Sequence, residues 1–410
     1  MDKIAITGLG IVSPSGMDKR KFWSNISHGR SAVEAITRFD ASRYASHVAG
    51  QVHELDVYSN VSSRLLKKID LFAHMALVAS EMAIQDARLD LSKEDLKRAG
   101  IFMGNAIGGW LYGETELRDL YIEGREGVSP FMASAWFPAA PQGQVSIHYG
   151  MKGFSKTLVA DRASSLMAIA YGARTLNRGK NDFILAGGME APVTPYALLC
   201  CNTSGMLTKR NETPQSAYRP FDKTRDGFAI AEGAGIVILE SEERAKKRDV
   251  PVYGYIIGYG TTTDGVDRIQ PSDDGVELAN AIRMALDDAG REPAEIDYIC
   301  ADGAATPIGD ATETLAIKKV FNASAKKIPV TAPKAVFGNM LGASGAVDVI
   351  STVLAMEHKT IPPTINYSQP DPDCDLDYCP NKSQAKEIRN ALIINRGRGG
   401  INCALVLSKN

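Results

Sequence analysis

Short apolar runs alternate along the whole chain with stretches whose apolar residues recur at helical spacing. The runs are typical of buried strands. In order they are KIAITGLGIV, AGIFMGNAIG, TLVADR, DFILAGG, AGIVILES, VYGYIIGYG, IDYICADGA and ALIINRGRGGINCALVLSKN. Helical spacing predicts helices over Leu65–Leu89 and Asp274–Gly290, the second ending at Gly290, where a C-cap glycine belongs. This alternation predicts an α/β fold with mainly buried strands.

The chain also carries a sign of internal duplication. A strand, a turn of small residues and a helix are predicted near Val159–Ala170 and again near Ala332–Leu354. The charged segment Glu240–Pro251 is the predicted junction between them. We therefore expect two similar halves, residues 1–245 and 246–410.

Composition narrows the function classes. The chain has 410 residues, 44% of them apolar, so it can bury a large core. A net charge of -2 gives no reason to expect nucleic acid or an anionic membrane as the main partner. No apolar run approaches the roughly 20 residues of a membrane span, and the start is too polar for a signal peptide, so we expect a cytoplasmic protein. Cys374 and Cys379 have no His or Cys cluster nearby, and we expect no metal site.

The segment Tyr218–Ser241, YRPFDKTRDGFAIAEGAGIVILES, is the most specific motif. Five further motifs accompany it: Ile6–Gly16, Ile184–Ala191, Asp302–Thr314, Pro333–Ala346 and Gly397–Leu407. Together they resemble, in the same order, segments of the β-ketoacyl synthases, the condensing enzymes of fatty-acid and polyketide assembly. The resemblance implies the thiolase-like fold, with two pseudo-equivalent halves in a five-layer α-β-α-β-α sandwich, assembled as a dimer and without a cofactor.

Members of this family condense acyl units with a cysteine thiolate and two imidazoles. Matching the motifs places Arg162 on the cysteine, Asp302 on the first histidine and Asn339 on the second. Lys334 and Glu313 match the family. Arginine stays protonated and cannot attack a thioester, a carboxylate has the wrong sign to stabilise an enolate, and an amide cannot shuttle a proton. The chain is therefore predicted to be unable to condense acyl units by itself.

The histidines do not replace the missing imidazoles, because all six lie outside the matching motifs; they are His28, His47, His53, His74, His148 and His358. A cation at a helix N-terminus is unfavourable by about 0.3–1 kcal/mol. We therefore expect Arg162 to pair with Asp161, Asp302 or another nearby carboxylate, and to act as structural filling. Arg396 and Arg398 stand where relatives carry two phenylalanines that line and gate the acyl pocket. Because an acyl chain there would leave buried charge poorly paired, we expect none in this pocket.

Two segments, Gly104–Tyr121 and Ala135–Gly153, look like the branch of the family called chain length factor, or ketosynthase β subunit. The resemblance implies a non-catalytic subunit of a type II polyketide synthase, paired with a homologous active ketosynthase and served by an acyl carrier protein bearing malonyl or polyketide chains. Aromatic and polyene products both remain open. Many chain length factors carry glutamine where this chain has Arg162, which indicates a divergent sub-branch.

In that branch the chain tunnel runs along the dimer interface. The resemblance implies tunnel or interface roles for Ile107, Trp110, Leu111, Tyr112, Leu117, Phe131, Met132 and Trp136. Ordinary core packing is the alternative for each of them. The basic residues Arg64, Lys67 and Lys68 are candidates for docking the acidic carrier protein, although a solvated helix face would carry the same charges.

Two other hypotheses stay open. One is an acyltransferase or hydrolase with rewired chemistry that acts on acyl thioesters through Cys200, Cys201 or Asp302. The other is a structural scaffold that has no influence on the tunnel.

Overall fold

The computed structural model describes residues 3–53, 55 and 60–410. The strands in that part of the chain are β1 (Ile4–Val12), β2 (Val33–Ala35), β3 (Val48–Gly50), β4 (Ala99–Gly104), β5 (Lys156–Leu158), β6 (Phe183–Glu190), β7 (Ile230–Ala231), β8 (Gly233–Ser241), β9 (Gly254–Thr263), β10 (Tyr298–Cys300), β11 (Val330–Thr331), β12 (Thr360–Ile361), β13 (Gln384–Ala385), β14 (Asn390–Gly397) and β15 (Ile401–Ser408).

The helices in the same residues are α1 (Lys19–Ser27), α2 (Ser63–Leu66), α3 (Leu71–Asp86), α4 (Trp110–Glu123), α5 (Met132–Trp136), α6 (Ala140–Tyr149), α7 (Ser164–Asn177), α8 (Pro195–Thr203), α9 (Glu242–Arg248), α10 (Val276–Ala289), α11 (Pro307–Phe321), α12 (Lys334–Phe337) and α13 (Ser344–His358). Within the described residues, none of them is both long and apolar enough to cross a membrane.

The main sheet has the strand order β11-β10-β14-β15-β9-β1-β8-β6-β4-β5. In the first half β4 pairs in parallel with β5 and β6, and β8 pairs antiparallel with β6 and β1. In the second half β10 pairs in parallel with β11 and β14, and β15 pairs antiparallel with β14 and β9. The halves therefore repeat one arrangement, as predicted, and they join where β1 pairs with β9 at Ile4–Ile6.

Three helical layers cover the strands of the two halves. Helices α7 and α13 pack against each other and against strands of both halves, and α13 is buried from Ser344 to Met356. Helix α3 covers the other face of the first half, and α10 and α11 cover the other face of the second. This is the five-layer α-β-α-β-α sandwich of the thiolase-like fold. Helix α9 connects the halves, so the division predicted at residue 245 falls within it and stays a prediction.

Two predicted boundaries were wrong. The helix predicted over Leu65–Leu89 is divided, because the Asp70 carboxylate accepts the Phe72 N–H (3.0 Å) as an N-cap and begins α3 at Leu71. The run TLVADR forms a strand only up to Leu158, because the chain then turns toward α7. The C-cap at Gly290 is confirmed, with φ of 58° in the left-handed region.

The sheet ends differently in the two halves. At β11, the Val330 N–H donates to the Asp377 carbonyl (2.8 Å), so the 371–381 segment covers that edge. At the other end β5 is the terminal strand, and the flanking Phe154 and Val159 are 42% and 58% exposed. The first half thus presents an edge strand with apolar neighbours at the surface.

Candidate functional site

A sharp turn between β5 and α7 carries Arg162 into the interior. Asp161 has φ of 49°, in the left-handed region that non-glycine residues rarely adopt. The Ser164 hydroxyl closes the turn by accepting the Ala160 N–H (2.8 Å) and donating to the Asp161 carbonyl (2.6 Å). Arg162, between them, is only 5% exposed. The turn therefore holds a buried guanidinium at the position that the sequence analysis matches to the family's cysteine.

Arg162 is held by two carboxylates and two softer contacts. Its Nη2 lies 3.4 Å from Asp302 Oδ2 and its Nη1 lies 3.6 Å from Asp161 Oδ2. The guanidinium also contacts Met206 Sδ (3.9 Å) and the ring of Phe228 (5.7 Å to the centroid). Burial alone would lower the pKa of Arg162, but the carboxylates more than offset it and hold the pKa above its ordinary value. The predicted pairing with Asp161 and Asp302 is confirmed.

Asp302 is fixed by backbone groups as well as by the arginine. Its Oδ1 accepts the Arg396 N–H at 3.2 Å. The Glu313 carboxyl accepts the N–H groups of Asp302 (2.7 Å) and Gly303 (2.9 Å). Burial, reinforced by the charge of Asp302, raises the pKa of Glu313 to about 8. Glu313 therefore holds the backbone of Asp302 at the position where Arg162 meets its side chain.

Arg396 and Arg398, the two arginines of the predicted gate, contact different parts of the fold. Arg396 is buried and donates to Thr312 Oγ1 (2.8 Å) and Asn402 Oδ1 (3.2 Å), with its Nη2 3.7 Å from Asp264 Oδ2. Burial lowers the pKa of Arg396, although the surrounding carboxylates oppose this shift. Arg398, whose side chain is 34% exposed, donates from Nε to Asp161 Oδ1 at 3.2 Å.

These arginines and carboxylates form one charge cluster, which we define as Asp161, Arg162, Asp264, Asp302, Arg396 and Arg398. Asp161 joins two of its arginines, and the charges of Arg162 and Arg398 hold the pKa of Asp161 below its ordinary value although burial opposes them. The cluster balances three cations against three acidic side chains.

Asn339 lies near the cluster. Its Oδ1 accepts the Leu341 N–H (3.0 Å) and the Ser344 hydroxyl (3.2 Å), so the amide caps the segment that leads into α13. The amide also interacts with the buried hydroxyl of Tyr218, which donates to the carbonyl of Gly303 (2.9 Å). The structure thus brings the three altered positions close together. Arg162 and Asp302 are in direct contact, whereas Tyr218 lies between Asn339 and the backbone next to Asp302.

Lys334, which matches the family, is satisfied in a different way. Its Nζ donates to Asp348 Oδ2 (2.8 Å) and to the Ala301 carbonyl (2.9 Å), and both charged side chains are fully buried. Despite burial, the carboxylates of Asp348 and Asp302 raise the pKa of Lys334 above its ordinary value.

Among the described thiols, Cys201 is near enough to the cluster for the charges of Arg398 and Asp161 to act on it. Cys201 is buried in α8, and burial raises its pKa to about 12, which disfavours the reactive thiolate. Cys200 is exposed on the same helix. His74 lies on α3, the layer on the other side of the first-half strands from α7. The remaining histidines are half-buried or exposed; they are His28, His47, His53, His148 and His358.

The predicted tunnel segment forms α4, α5 and the loop between them. The Trp110 ring packs on Tyr196 (4.8 Å between centroids) and meets Trp136 edge-on (6.2 Å). The Tyr112 hydroxyl donates to Ser129 Oγ at 2.8 Å. Phe131 is 37% exposed. The other candidates differ in burial: Ile107, Leu111 and Met132 are half-buried and Leu117 is exposed. The structure thus brings Trp110 and Trp136 together and leaves the tunnel roles as predictions.

The predicted docking residues lie on and just after α2. Arg64 and Lys67 are exposed, whereas Lys68 Nζ lies over the Phe131 ring at 4.6 Å. One of the three cations is therefore engaged with the tunnel segment, and the docking role stays a prediction.

Several site residues escaped the sequence reasoning. Glu190, at the end of β6, is fully buried and accepts the N–H groups of Ala106 (2.6 Å), Ile107 (3.2 Å) and Gly342 (2.9 Å). Burial raises the pKa of Glu190 to about 8. A carboxylate at the end of an apolar strand was the available signal for it. No local pattern marked Asp264 as the partner of Arg396, because Asp264 directly follows β9 and Arg396 lies on β14, far away in the sequence.

The sequence of the chain was compared with descriptions of known protein families. The family descriptions "Beta-ketoacyl synthase, N-terminal domain" and "Beta-ketoacyl synthase, C-terminal domain" match residues 1–245 and 253–368. The chain belongs to the β-ketoacyl synthase family.

The curated relatives include condensing enzymes. The chain is 36% identical over 407 residues to 3-oxoacyl-[acyl-carrier-protein] synthase 2 of Staphylococcus aureus (strain COL), covering 99% of this chain and 98% of the relative. The 3-oxoacyl-[acyl-carrier-protein] synthase 2 of Coxiella burnetii (strain RSA 493 / Nine Mile phase I) is also 36% identical, with the same coverage.

Solved structures include polyketide proteins. A type II polyketide synthase ketosynthase, in complex with its acyl-carrier protein and bound to the hexaketide, superposes with a TM-score of 0.92 and 33% identity, over 100% of this chain and 99% of that one. The ishigamide ketosynthase/chain length factor gives a TM-score of 0.92 at 30% identity, again over 100% and 99%.

Proposed function

We propose that this chain is a non-condensing subunit of the chain length factor type. It pairs with a homologous, active ketosynthase, shapes the chain tunnel at the shared interface and thereby sets the length of the polyketide. The observation that carries the proposal is the buried Arg162, which occupies the cysteine position and is bound to Asp302.

The chemistry of the charge cluster supports this proposal. A condensing subunit must hold its acyl chain as a thioester, and a guanidinium that stays protonated offers no electron pair for that bond. An apolar chain in the same region would have to displace buried ion pairs and leave charges without partners, which is strongly unfavourable. The polyketide therefore grows on the partner's cysteine, and this subunit contributes only walls.

The surface of the first half supports pairing with a second thiolase-like subunit. The terminal strand β5 is flanked in the chain by the exposed apolar side chains of Phe154 (42%) and Val159 (58%). Helix α4 adds Tyr121 (86%) and Ile122 (74%). Exposed apolar groups beside an open strand edge mark an interaction surface.

The solved relatives support the partners. One of them is a ketosynthase/chain length factor, and another is a ketosynthase with its acyl-carrier protein. We propose an acyl carrier protein as the third component here, docking at Arg64, Lys67 and Lys68. The named 3-oxoacyl-[acyl-carrier-protein] synthases would suggest fatty-acid condensation instead, but this chain lacks the nucleophile that such a role requires.

The test is to express the chain alone and together with a ketosynthase from the same genome that has intact Cys-His-His motifs. We expect the chain alone to form no covalent acyl adduct and to release no CO₂ from malonyl-carrier protein. We expect a one-to-one complex with the ketosynthase that makes a polyketide of defined length. A lone homodimer that turns over malonyl thioesters would contradict the proposal, and alkylation of Cys200 or Cys201 that stops turnover would favour the rewired enzyme.

A second test separates the tunnel role from a scaffold role. We expect Trp110→Ala in the complex to shift the product distribution toward longer chains, because it removes a large side chain from the proposed wall. The exposed Met284, on α10 of the second half, supplies the comparison for a mutation that only alters the surface. Unchanged products with Trp110→Ala and intact complex would favour the scaffold.

A further inference from the structure

Helix α4 is tied to α8 by one carboxylate. The Glu114 side chain accepts the N–H of Tyr196 (2.8 Å), the N–H of Ala197 (3.3 Å) and the hydroxyl of Thr194. These donors form the N-terminus of α8, which also uses Thr194 as its own N-cap. An anion at this end of a helix is stabilised by the free N–H groups and by the helix dipole. Glu114 thus caps α8 from a different helix.

The same contact joins two aromatic side chains. Glu114 follows Trp110 by four residues, so both lie on one face of α4. Tyr196, whose N–H Glu114 accepts, packs its ring on Trp110 at 4.8 Å with 44° between the planes. Trp136 closes the other side of Trp110. We call Trp110, Trp136 and Tyr196 the aromatic wall.

The wall is close-packed around α4. A methyl group added at Gly113 would lie 3.0 Å from Trp136 Cδ1 and 3.7 Å from Trp110 Cε3, so no larger side chain fits there without movement. Because Tyr196 is 45% exposed, packing alone confines its ring less than that of a core residue. The backbone of Tyr196 is the part that Glu114 fixes.

We propose that Glu114 is a positioning residue that sets product length by holding Tyr196 against Trp110. This inference rests on the proposed function, since it assumes that the aromatic wall bounds the polyketide tunnel. Glu114 itself does not touch the chain. Without its negative charge, the N-terminus of α8 is held more weakly, the Tyr196 ring separates from Trp110, and the wall recedes.

The experiment uses the complex of this chain with its ketosynthase and compares Glu114→Gln with Glu123→Gln. Both variants remove one carboxylate from α4, but Glu123 is exposed at the far end of the helix. Since bonds to a charged acceptor are roughly twice as strong as neutral ones, we expect Glu114→Gln to raise the ratio of longer to normal product about tenfold. Glu123→Gln should leave this ratio unchanged.

A spectroscopic readout follows the wall without relying on the product. We expect Glu114→Gln to weaken the near-ultraviolet circular dichroism band that Trp110→Phe also weakens, with the same yield of complex. A merely structural cap would lower the melting temperature without changing this band or the product length.

The outcomes distinguish a failure of the positioning role of Glu114 from a failure of the tunnel role of the subunit. If Trp110→Ala changes product length but Glu114→Gln does not, the positioning role is wrong and the proposed function stands. If neither variant changes it while the complex remains active, the tunnel role fails and the positioning role fails with it. A change with Glu123→Gln equal to that with Glu114→Gln would also overturn the positioning role, because it would reflect the charge of α4 alone.

Discussion

Two buried ion pairs, which lie close together, differ in the distance between their charged atoms and in how the cation is held. In Lys334–Asp348 both side chains are 0% exposed, the N–O distance is 2.8 Å, and Lys334 has a second acceptor in Ala301. In Arg162–Asp302 the N–O distance is 3.4 Å, and Arg162 Nε finds no hydrogen-bond acceptor among the described residues. The arginine shares its remaining contacts among Asp161, a sulfur and an aromatic ring.

In the sequence analysis, the resemblance implies that Lys334 matches the family and that Arg162 and Asp302 depart from it, so the two ion pairs fall on different sides of that expectation. Lys334 has two acceptors at short range, which helps a buried ion pair to offset desolvation, although Asp348 Oδ1 has no hydrogen-bond partner among the described residues. The charge of Arg162 is neutralised by several partners at longer range. We expect loss of either partner of Lys334–Asp348 to destabilise the fold strongly. We expect joint replacement of Arg162 and Asp302 to leave the stability of the fold nearly unchanged.

The largest effect is expected from Lys334→Met. It leaves the buried Asp348 carboxylate without its cation, and breaking such a pair destabilises the fold by about 3–5 kcal/mol. Chemical denaturation followed by circular dichroism measures the loss. The exposed Lys327 offers a control, since Lys327→Met should change stability by less than about 0.5 kcal/mol. A loss below about 1 kcal/mol for Lys334→Met would show that the two ion pairs do not differ as described.

A double-mutant cycle at Arg162 and Asp302 sharpens the comparison. Arg162→Met should destabilise the fold by about 2 kcal/mol, less than Lys334→Met, because Asp302 keeps the Arg396 N–H and Asp161 keeps Arg398. Adding Asp302→Asn should restore stability to within about 1 kcal/mol of the parent, since no buried charge then lacks a partner. Thermal or denaturant unfolding of the four proteins gives the coupling energy. A double variant no more stable than Arg162→Met would contradict the assignment of Arg162 as filling.

The raised pKa of Glu313, whose carboxyl group accepts the Asp302 N–H, can be tested by measuring stability as a function of pH. Because the folded pKa of Glu313 is raised from 4.5 to about 8, the folded state keeps a proton that the unfolded chain releases. Its contribution to stability is therefore complete below about pH 4.5 and is lost as the pH rises toward about 8. We expect Glu313→Gln to remove a decline in the free energy of unfolding of about 3–4 kcal/mol between pH 5 and pH 8. Unfolding free energies measured across that range give the two slopes, and parallel slopes would contradict the raised pKa.

The smallest effect is expected from Arg398→Met. The side chain is 34% exposed, so water screens its pair with Asp161, and Asp161 also keeps Arg162. We expect a loss of about 0.5–1 kcal/mol, which 0.5 M salt should reduce. Denaturation at low and high salt provides the measurement. A loss as large as that of Arg162→Met would place Arg398 with the buried members of the charge cluster.

Part of the site could be predicted because burial restricts what a charge can do. A buried arginine needs a carboxylate within reach, and Asp161 and Asp302 were available from the neighbouring residue and from the aligned motif. The strand at Phe183–Glu190 and the helix end at Gly290 were equally readable, since apolar runs and C-cap glycines act over a few residues.

The rest depended on contacts between distant segments. Asp264 meets Arg396, and Glu114 meets Tyr196, only after the strands and helices have packed, so no spacing along the chain marks them. The wrong start of α3 had a local signal that was overlooked, because Asp70 precedes the apolar run and caps it. The tunnel roles and the docking role stay predictions.

The uncovered strand β5 affects more than recognition of a partner. Its backbone N–H and C=O groups at the end of the sheet, beside exposed Phe154 and Val159, form a template on which a second copy or an unfolded chain can add a strand. Newly made protein is therefore prone to aggregate in proportion to its concentration until another polypeptide occupies that edge. If the proposed partner subunit occupies that edge, the rate at which this partner is supplied would govern the usable amount of the chain in a cell.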